Sequence, residues 1–581
     1  MCCMFRQEIN NLVYICEQMG VSNAVIAPGS RNTPLTLAFA HSDVIDCFTV
    51  TDERSAAFLA LGMSQYREEP VVLICTSGTA ALNFASAIAE AYYQHLPLIV
   101  LTADRPVAWI DQADGQTIRQ QNIYSGYCKA SFHLPTDYPV ELANPASEHF
   151  QTIQWQCERT VSQALDLALQ FPKGPVHLNV PFNEPLYVRL PETHSNPKII
   201  RTLGMDFLPD AQTLNQFTAA WNNAGSKIIV VGNFKRDEEL NALLNEASEL
   251  PDVLVIAENL SNISGDKIIS SPDLFFSALT EKQQAVLQPD LLITIGHSAI
   301  SKKMKQFLRK FKATDHWQLQ SGLPYADTYQ SLRHVLPVRA VNLLTEPIRK
   351  ARDESKSLKK TSKKSTAGSG MYQLLHQKIK KYARQYFDEL SASDMWFIHK
   401  FIKEIPENTV LQLANSTVVR ISQLLETRSD LEYYCNRGTS GIDGSLSTAV
   451  GSAIFSGKDT FLITGDLSFL YDSNGLWNNL LPGNLKILLL NNGGANIFRM
   501  IGNQSVIAKV QYFYDAPYLV NFDSLANAYL VHHQVCDSKE KFNEMVKICL
   551  NYPGCSILEV ETDMEQNVDY YQNIFKNIQS K

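Results

Sequence analysis

A chain of 581 residues, 45% hydrophobic and 19% charged, has the makeup of a globular protein with about three cores rather than one. A formal net charge of −8 argues against general nucleic-acid binding, and no apolar run approaches the roughly 18 residues of a membrane span. The opening MCCMFRQEINN lacks the apolar core of a secretory signal. The eleven cysteines are scattered without CxxC pairs or metal-ligand spacing, which predicts a reducing, cytoplasmic setting.

Residues 1–185 read as a first α/β domain. A helix is predicted over 9–19 and a strand over 24–26, ending in Pro28-Gly29-Ser30-Arg31. A second strand, 46–50, leads through Thr51-Asp52 into a helix that opens with Glu53. A third, 71–75, is followed by Thr76-Ser77-Gly78-Thr79 and a long Ala-rich helix to Tyr93. A fourth, 98–101, ends in Thr102-Ala103-Asp104-Arg105-Pro106, and 174–181 reads as a last buried strand. Strands alternating with helices predict a parallel sheet covered on both faces. Residues 186–345 read as a second, structural α/β domain with strands at 227–231, 253–256 and 291–295. No Gly-rich dinucleotide fingerprint stands at their turns, so bound NAD or FAD has no support. Residues 346–370, dense in Lys and Ser, read as a solvated, mobile linker, and 371–581 as the third domain.

The third domain holds the most informative stretch. An apolar run from Thr460 stops at Gly465-Asp466, a helix is predicted over 468–480, and a second apolar run, 485–490, stops at Asn491-Asn492-Gly493-Gly494. Strand, helix, strand is a βαβ unit whose crossover makes the strands parallel. Asp466 and Asn492 are therefore expected at one carboxyl edge, where open α/β sheets bind ligands. A carboxylate, an amide oxygen and the carbonyls of a glycine turn are hard oxygen ligands. Mg²⁺ prefers such ligands and completes its octahedron with phosphate and water. Upstream, Asn415-Ser416 follows a predicted strand and precedes a helix containing Arg420. The run Asn436-Arg437-Gly438-Thr439-Ser440-Gly441-Ile442-Asp443-Gly444 then joins a strand to an Ala/Ser-rich helix, with glycines that let backbone N–H groups approach a ligand closely.

The Gly-Asp and Asn-Asn pair resembles the diphosphate-binding signature of thiamine-diphosphate enzymes. Further words carry the resemblance across the chain: PGSRNTPLTLA (28–38), TDERSAAFLALG (51–62), TSGTA (76–80), LTADRP (101–106), QTIRQ (116–120), SKK (301–303), NSTVVR (415–420), NRGTSGIDGSLSTA (436–449), GDLSFLYDSNGL (465–476) and NNGGANIF (491–498). Together they resemble the 2-succinyl-5-enolpyruvyl-6-hydroxy-3-cyclohexene-1-carboxylate synthase family of menaquinone biosynthesis. The linker and residues 122–147 are not covered. The family's Asn-Asn-Asn-Gly-Gly stands here as Asn-Asn-Gly-Gly-Ala, one residue nearer Asp466, which leaves open which glycine carbonyl completes a metal shell.

The resemblance implies three doubly wound parallel-sheet domains of pyruvate decarboxylase-like architecture, the first binding the pyrimidine of thiamine diphosphate and the third its diphosphate. It implies a transferase that decarboxylates 2-oxoglutarate and adds the succinyl-semialdehyde unit to isochorismate. Metal ligands for Mg²⁺ or Mn²⁺ would be Asp466, Asn492 and the carbonyl of Gly494. Cofactor contacts would be Glu53, Ser77, Gly78, Ser416, Gly441, Ile442, Gly465, Asp466, Leu467 and Asn492. Glu53 would be the catalytic carboxylate that shares a proton with the pyrimidine ring nitrogen, and is expected to be buried with a raised pKa. Ile442 would wedge the two cofactor rings into a bent shape. Substrate contacts would be Ser30, Arg31, Arg105, Gln116, Lys302, Lys303, Ser416, Arg420, Arg437, Ile497 and Phe498. A homodimer or homotetramer with sites between subunits is implied as well. The alternatives are another 2-oxoacid decarboxylase or acetohydroxyacid synthase-like enzyme, and a non-catalytic subunit that keeps the fold.

Overall fold

The computed structural model describes residues 4–136, 138–139, 147–187, 196–203, 208–322, 324–358, 369–501 and 509–579. The first sheet is built from β1 (Asn23–Ile26), β2 (Asp46–Thr49), β3 (Val71–Cys75), β4 (Leu98–Asp104), β5 (Ala130–His133) and β6 (Val176–Pro181), in the order β2-β1-β3-β4-β6-β5, with every pair parallel. Every residue of β3 and β4 is buried, the continuous apolar pattern of strands covered on both faces. β5, the half-buried edge strand ASFH, carries no such pattern and escaped the sequence reading. The Ala-rich helix after β3 is two helices, Thr79–Asn83 and Ala85–Gln94.

The second sheet holds β7 (Lys227–Val231), β8 (Val253–Ala257), β9 (Leu291–Ile295), β10 (Asp315–Leu319) and β11 (His334–Leu336), ordered β8-β7-β9-β10-β11 and parallel throughout. The third holds β12 (Thr409–Leu413), β13 (Leu431–Tyr434), β14 (Thr460–Gly465), β15 (Leu485–Asn491), β16 (His532–Cys536) and β17 (Ser556–Glu561), ordered β13-β12-β14-β15-β17-β16. Counted from its own first strand, the third sheet repeats the strand order of the first. No sequence repeat announces this duplication.

Two expectations change. The predicted linker begins inside the helix Ala340–Leu358, because Val341, Leu344 and Ile348 line one helical face and are buried. Residues 359–368 lie outside the described residues, and the next helix is Ser369–Glu389. The predicted helix 468–480 is instead Asp466–Tyr471 followed by a single 3₁₀ turn, Ser473–Leu476, because the turn-forming run Asp472-Ser473-Asn474-Gly475 ends it.

The chain forms two compact units, one of residues 1–204, 436–457 and 468–485, the other of 205–435, 458–467 and 486–581. Within the first, the helix Glu53–Arg67 crosses the helix Ser445–Ser456 closely enough that a Cβ on Gly62 would overlap the Thr448 carbonyl, and one on Gly451 the Leu59 carbonyl. Within the second, one apolar core runs from Ile228 and Leu292 of the middle sheet, through Phe387, Trp396 and Phe401, to Leu411, Ile463 and Leu488 of the third.

Candidate active site

β14 and β15 lie side by side, and their carboxyl ends present Asp466 and Asn492. Asp466 is 2% exposed. Its Oδ2 accepts the backbone N–H groups of Gly493 and Gly494, each at 2.9 Å, and the Tyr518 hydroxyl at 2.9 Å, while Oδ1 accepts the Leu467 N–H at 2.7 Å. One donor at Oδ1 leaves a lone pair there for a further partner. Burial pushes this carboxyl up to about 6 against those hydrogen bonds, so an adjacent cation would favour its ionised form.

Asn492 donates through Nδ2 to Asp394 Oδ2 at 2.8 Å, and its Oδ1 is buried without a hydrogen-bond partner. Leaving a buried acceptor unsatisfied costs about 1–3 kcal/mol. Because Asp394 grips the NH₂ end, the oxygen end is the one presented. Asp394 is itself held: it accepts from Thr562 Oγ1 at 2.6 Å, and its N–H donates to Asn567 Oδ1 at 2.9 Å. Gly493 and Gly494 have φ of +82° and +145°, and a Cβ on Gly494 would overlap the Asp515 carbonyl. Carboxylate, amide oxygen and glycine turn make a hard donor set that fits Mg²⁺ or Mn²⁺. Among the described residues no three His, Cys, Asp or Glu side chains gather as a rival metal site. Sequence reasoning missed Asp394, Tyr518 and Thr562. The only signal for them is spatial, since they come from three distant segments.

At the carboxyl edge of the first sheet, Asp52 caps the helix Glu53–Arg67 by accepting the Ser55 N–H at 3.2 Å, and its other oxygen accepts Asn474 Nδ2 at 2.6 Å. Glu53 faces Asn83 Nδ2 at 3.2 Å and is half-buried, not buried as expected. Side chains tilt toward a helix N-terminus, so one in the first turn points past the sheet edge rather than into the core. The Gly78 N–H, at φ +83°, donates to Gln120 Oε1 at 2.8 Å; Gln120 Nε2 donates to Asn179 Oδ1 at 3.0 Å, and Asn179 Nδ2 to Asp104 Oδ2 at 2.7 Å. This buried network fixes Gly78 relative to Arg105, whose N–H donates to Asp104 Oδ1 at 2.7 Å. The Ser77 hydroxyl beside it is buried without a partner.

Arg31, 4% exposed, donates to the Phe182 carbonyl at 2.9 Å and to Glu184 Oε1 at 3.1 Å. Arg105 lies 3.6 Å from the same Glu184 oxygen and donates to the Gly115 carbonyl at 2.8 Å. Two guanidinium groups thus converge on one exposed carboxylate, with Ser30 exposed beside Arg31 and the Gln116 backbone against Gly78. Arginine suits carboxylates through its planar, permanently charged fork. Glu90, 1% exposed, accepts the N–H groups of Gly438 and Thr439, both at 2.6 Å, and so pins the loop that carries half-buried Arg437 and Gly441 and exposed Ile442. Ile442 is 38% exposed, and its carbonyl accepts from Ser468 Oγ at 2.7 Å.

The remaining predicted residues stand in the second unit. Gly465 and Leu467 flank Asp466. Ser416, at φ +76°, precedes the six-residue helix Thr417–Ser422, which carries half-buried Arg420. A non-glycine residue held in that region is a strained position of the kind that clusters at ligand sites. Lys302 and Lys303 are exposed in the first turn of the helix Lys302–Lys310. Ile497 and Phe498 open the helix Ile497–Ile501, with the Phe498 ring 4.8 Å from that of Tyr514.

Family models match the chain at residues 9–123 (thiamine pyrophosphate enzyme, N-terminal TPP binding domain), 209–391 (middle domain) and 416–560 (C-terminal TPP binding domain). Curated relatives that span nearly the whole chain carry the name 2-succinyl-5-enolpyruvyl-6-hydroxy-3-cyclohexene-1-carboxylate synthase. That of Flavobacterium johnsoniae is 36% identical over 572 residues and that of Flavobacterium psychrophilum 37% over 573, each covering 98% of both chains. That of Desulfotalea psychrophila is 37% identical over 548 residues, 92% of this chain and 94% of its own.

Proposed function

This chain belongs to the thiamine-diphosphate-dependent 2-succinyl-5-enolpyruvyl-6-hydroxy-3-cyclohexene-1-carboxylate synthase family, and from that premise we propose how its own residues share the work. It is a transferase of menaquinone biosynthesis: it decarboxylates 2-oxoglutarate and adds the succinyl-semialdehyde unit to isochorismate, using thiamine diphosphate and a divalent metal such as Mg²⁺. When bound, the cofactor supplies the electron sink that loss of CO₂ from a 2-oxoacid requires.

The chain contributes binding, orientation and proton traffic. Asp466, Asn492 and the carbonyl of Gly494 hold the metal, with Gly465 and Leu467 shaping the turn around Asp466. The observation that carries this assignment is the buried, unpartnered Asn492 Oδ1, aimed by Asp394 beside a buried carboxylate. Glu53 exchanges a proton with the pyrimidine ring nitrogen, as a carboxylate placed at the edge of the first sheet can. Ser77, Gly78, Ser416 and Gly441 line the cofactor, and Ile442, on the loop pinned by Glu90, is its apolar wedge. Arg31 and Arg105, which already share one carboxylate, receive a carboxylate of substrate, supported by Ser30 and Gln116. Arg420, Arg437, Lys302 and Lys303 meet the other carboxylates, and Ile497 and Phe498 supply apolar contact.

A homodimer with sites drawing on both subunits is the assembly that fits this division, since Glu53 and Asp466 stand on different sheets. A reducing, cytoplasmic setting fits eleven cysteines without paired spacing, and among the described residues no helix is long and apolar enough to cross a membrane. The decisive experiment incubates the protein with thiamine diphosphate, Mg²⁺ and 2-oxoglutarate, with and without isochorismate, following CO₂ and product by mass. Product that needs both substrates supports the reading. Acceptor-independent release of an aldehyde as the main outcome would overturn it.

A further inference from the structure

Three of the five residues after β8, Glu258, Asn259 and Asn262, send their side chains to three different segments, each of which carries or leads into a cation assigned above to substrate. Glu258, 1% exposed, accepts two successive backbone N–H groups, those of Ile300 and Ser301, both at 2.6 Å. These amides immediately precede Lys302 and Lys303. Asp273 completes the brace by accepting from Ser301 Oγ at 2.6 Å and from the Lys303 N–H at 3.0 Å. Asn259, also 1% exposed, donates to Ser422 Oγ at 3.1 Å, at the end of the helix that bears Arg420. Asn262, left-handed at φ +54°, donates to the Tyr433 carbonyl at 3.1 Å and accepts the Tyr433 N–H at 2.7 Å. It thereby pairs with the main chain of β13 just before Asn436-Arg437.

We propose that the Glu258–Asn262 loop of the middle domain is a positioning element that sets the mutual spacing of Lys302, Lys303 and Arg420, and with it the fit of the dicarboxylate substrates; this rests on the reading of those residues as substrate contacts. Adhesion between the middle and third sheets does not explain the loop, because the continuous apolar core already supplies it. Buried polar side chains stabilise little in net terms once their desolvation is counted, but they permit only one geometry. A bidentate carboxylate on two adjacent amides fixes both the height and the rotation of the helix start that follows. The middle domain then acts on specificity without touching substrate.

The test measures steady-state kinetics for both substrates, and thiamine-diphosphate affinity by calorimetry in Mg²⁺, in Glu258→Gln, Asn259→Ala, Lys303→Ala, Arg420→Ala and the double variant Asn259→Ala/Arg420→Ala. Glu258→Gln leaves one acceptor where two are used, and Asn259→Ala removes only the arm to Ser422, so the second serves if the first does not fold. The expected result is a KM for at least one dicarboxylate raised about tenfold in each loop variant, with kcat and cofactor affinity changed by no more than about twofold. In the Arg420→Ala background Asn259→Ala should add almost nothing, since it acts through that arginine. If Lys303→Ala and Arg420→Ala leave both KM values unchanged, the substrate-contact reading fails. If those two raise KM but the loop variants do not, or if Asn259→Ala costs the same with and without Arg420, the contacts stand and the positioning role is overturned.

Discussion

Asn492 is a short side chain with two ends of opposite character, and Asp394 decides which end faces the proposed metal. An amide whose NH₂ end is held at 2.8 Å cannot rotate its oxygen away without breaking that bond. Asp394→Ala should therefore weaken Mg²⁺-dependent thiamine-diphosphate binding by about 10–100-fold, the usual cost of losing a partner behind a metal ligand. Asp466→Ala, which removes the one charged ligand, should be more severe. Calorimetry checks both, and unchanged metal-dependent binding in Asp466→Ala would place the clamp elsewhere. Glu53 poses a different question. Glu53→Gln keeps shape and hydrogen-bonding reach but cannot exchange the proton, so turnover should fall by ~10²–10⁴ while cofactor affinity changes little. Activity within a few-fold of wild type would remove Glu53 from its proposed role.

The helix Ser445–Ser456 follows the glycine-rich loop directly, and its start is held by a buried carboxylate. Asp472 accepts the Ser447 N–H at 2.6 Å and the Ser447 hydroxyl at 2.9 Å, yet burial pushes it from the ordinary 3.8 up to about 7. The folded state thus binds a proton that the unfolded chain has released between about pH 4 and 7, so this group's contribution to stability falls as pH rises through that window and levels off above it. Buried His376 acts in the opposite sense: burial lowers it to about 3, so the unfolded chain takes up the proton first as pH falls below the ordinary 6.5. Comparing wild type with Asp472→Asn isolates the first effect. The melting temperature of the variant should gain on that of wild type steadily from pH 4.5 to 7, and a constant difference would show that Asp472 is ionised throughout. At the crossing of this helix with Glu53–Arg67, Gly62→Ala would meet the Thr448 carbonyl and should cost about 1–3 kcal/mol in denaturant unfolding.

At the scale of the molecule, two sheets share one strand order, and each carries candidate residues at its carboxyl edge. Glu53 belongs to one and Asp466 to the other. If each site draws on two subunits, Glu53→Gln and Asp466→Ala homodimers are both inactive, whereas a heterodimer purified on two tags collects both lesions in one site and leaves the other intact. It should recover about half of wild-type activity when the sites are independent. A folded but inactive heterodimer would rule out the shared site. Pyruvate, which lacks the distal carboxylate that the arginines are proposed to meet, should be a poor donor beside 2-oxoglutarate.

What the chain's own order of residues determined is local and periodic. Buried parallel strands are continuous apolar runs, so β3, β4, β7, β9, β14 and β15 were legible, and with them the residues that end them: Thr76-Ser77-Gly78, Asp104-Arg105, Gly465-Asp466 and Asn491-Asn492. The order of its motifs likewise indicated the family and its cofactor, which full-length relatives bear out. Short or polar strands such as β5, β10 and β11 had no such signature, and an amphipathic helix hid within a run that looked like a linker. Only the tertiary structure decided which distant side chains brace the site: Asp394 behind Asn492, Gln120 under Gly78, Glu90 beneath the 438–439 turn, and Glu258 ahead of Lys302. Each is a single polar residue separated by tens to hundreds of positions from the group it holds. Hydrogen bonds of that kind depend on where the sheets bring two backbones together, and no spacing along the chain encodes them.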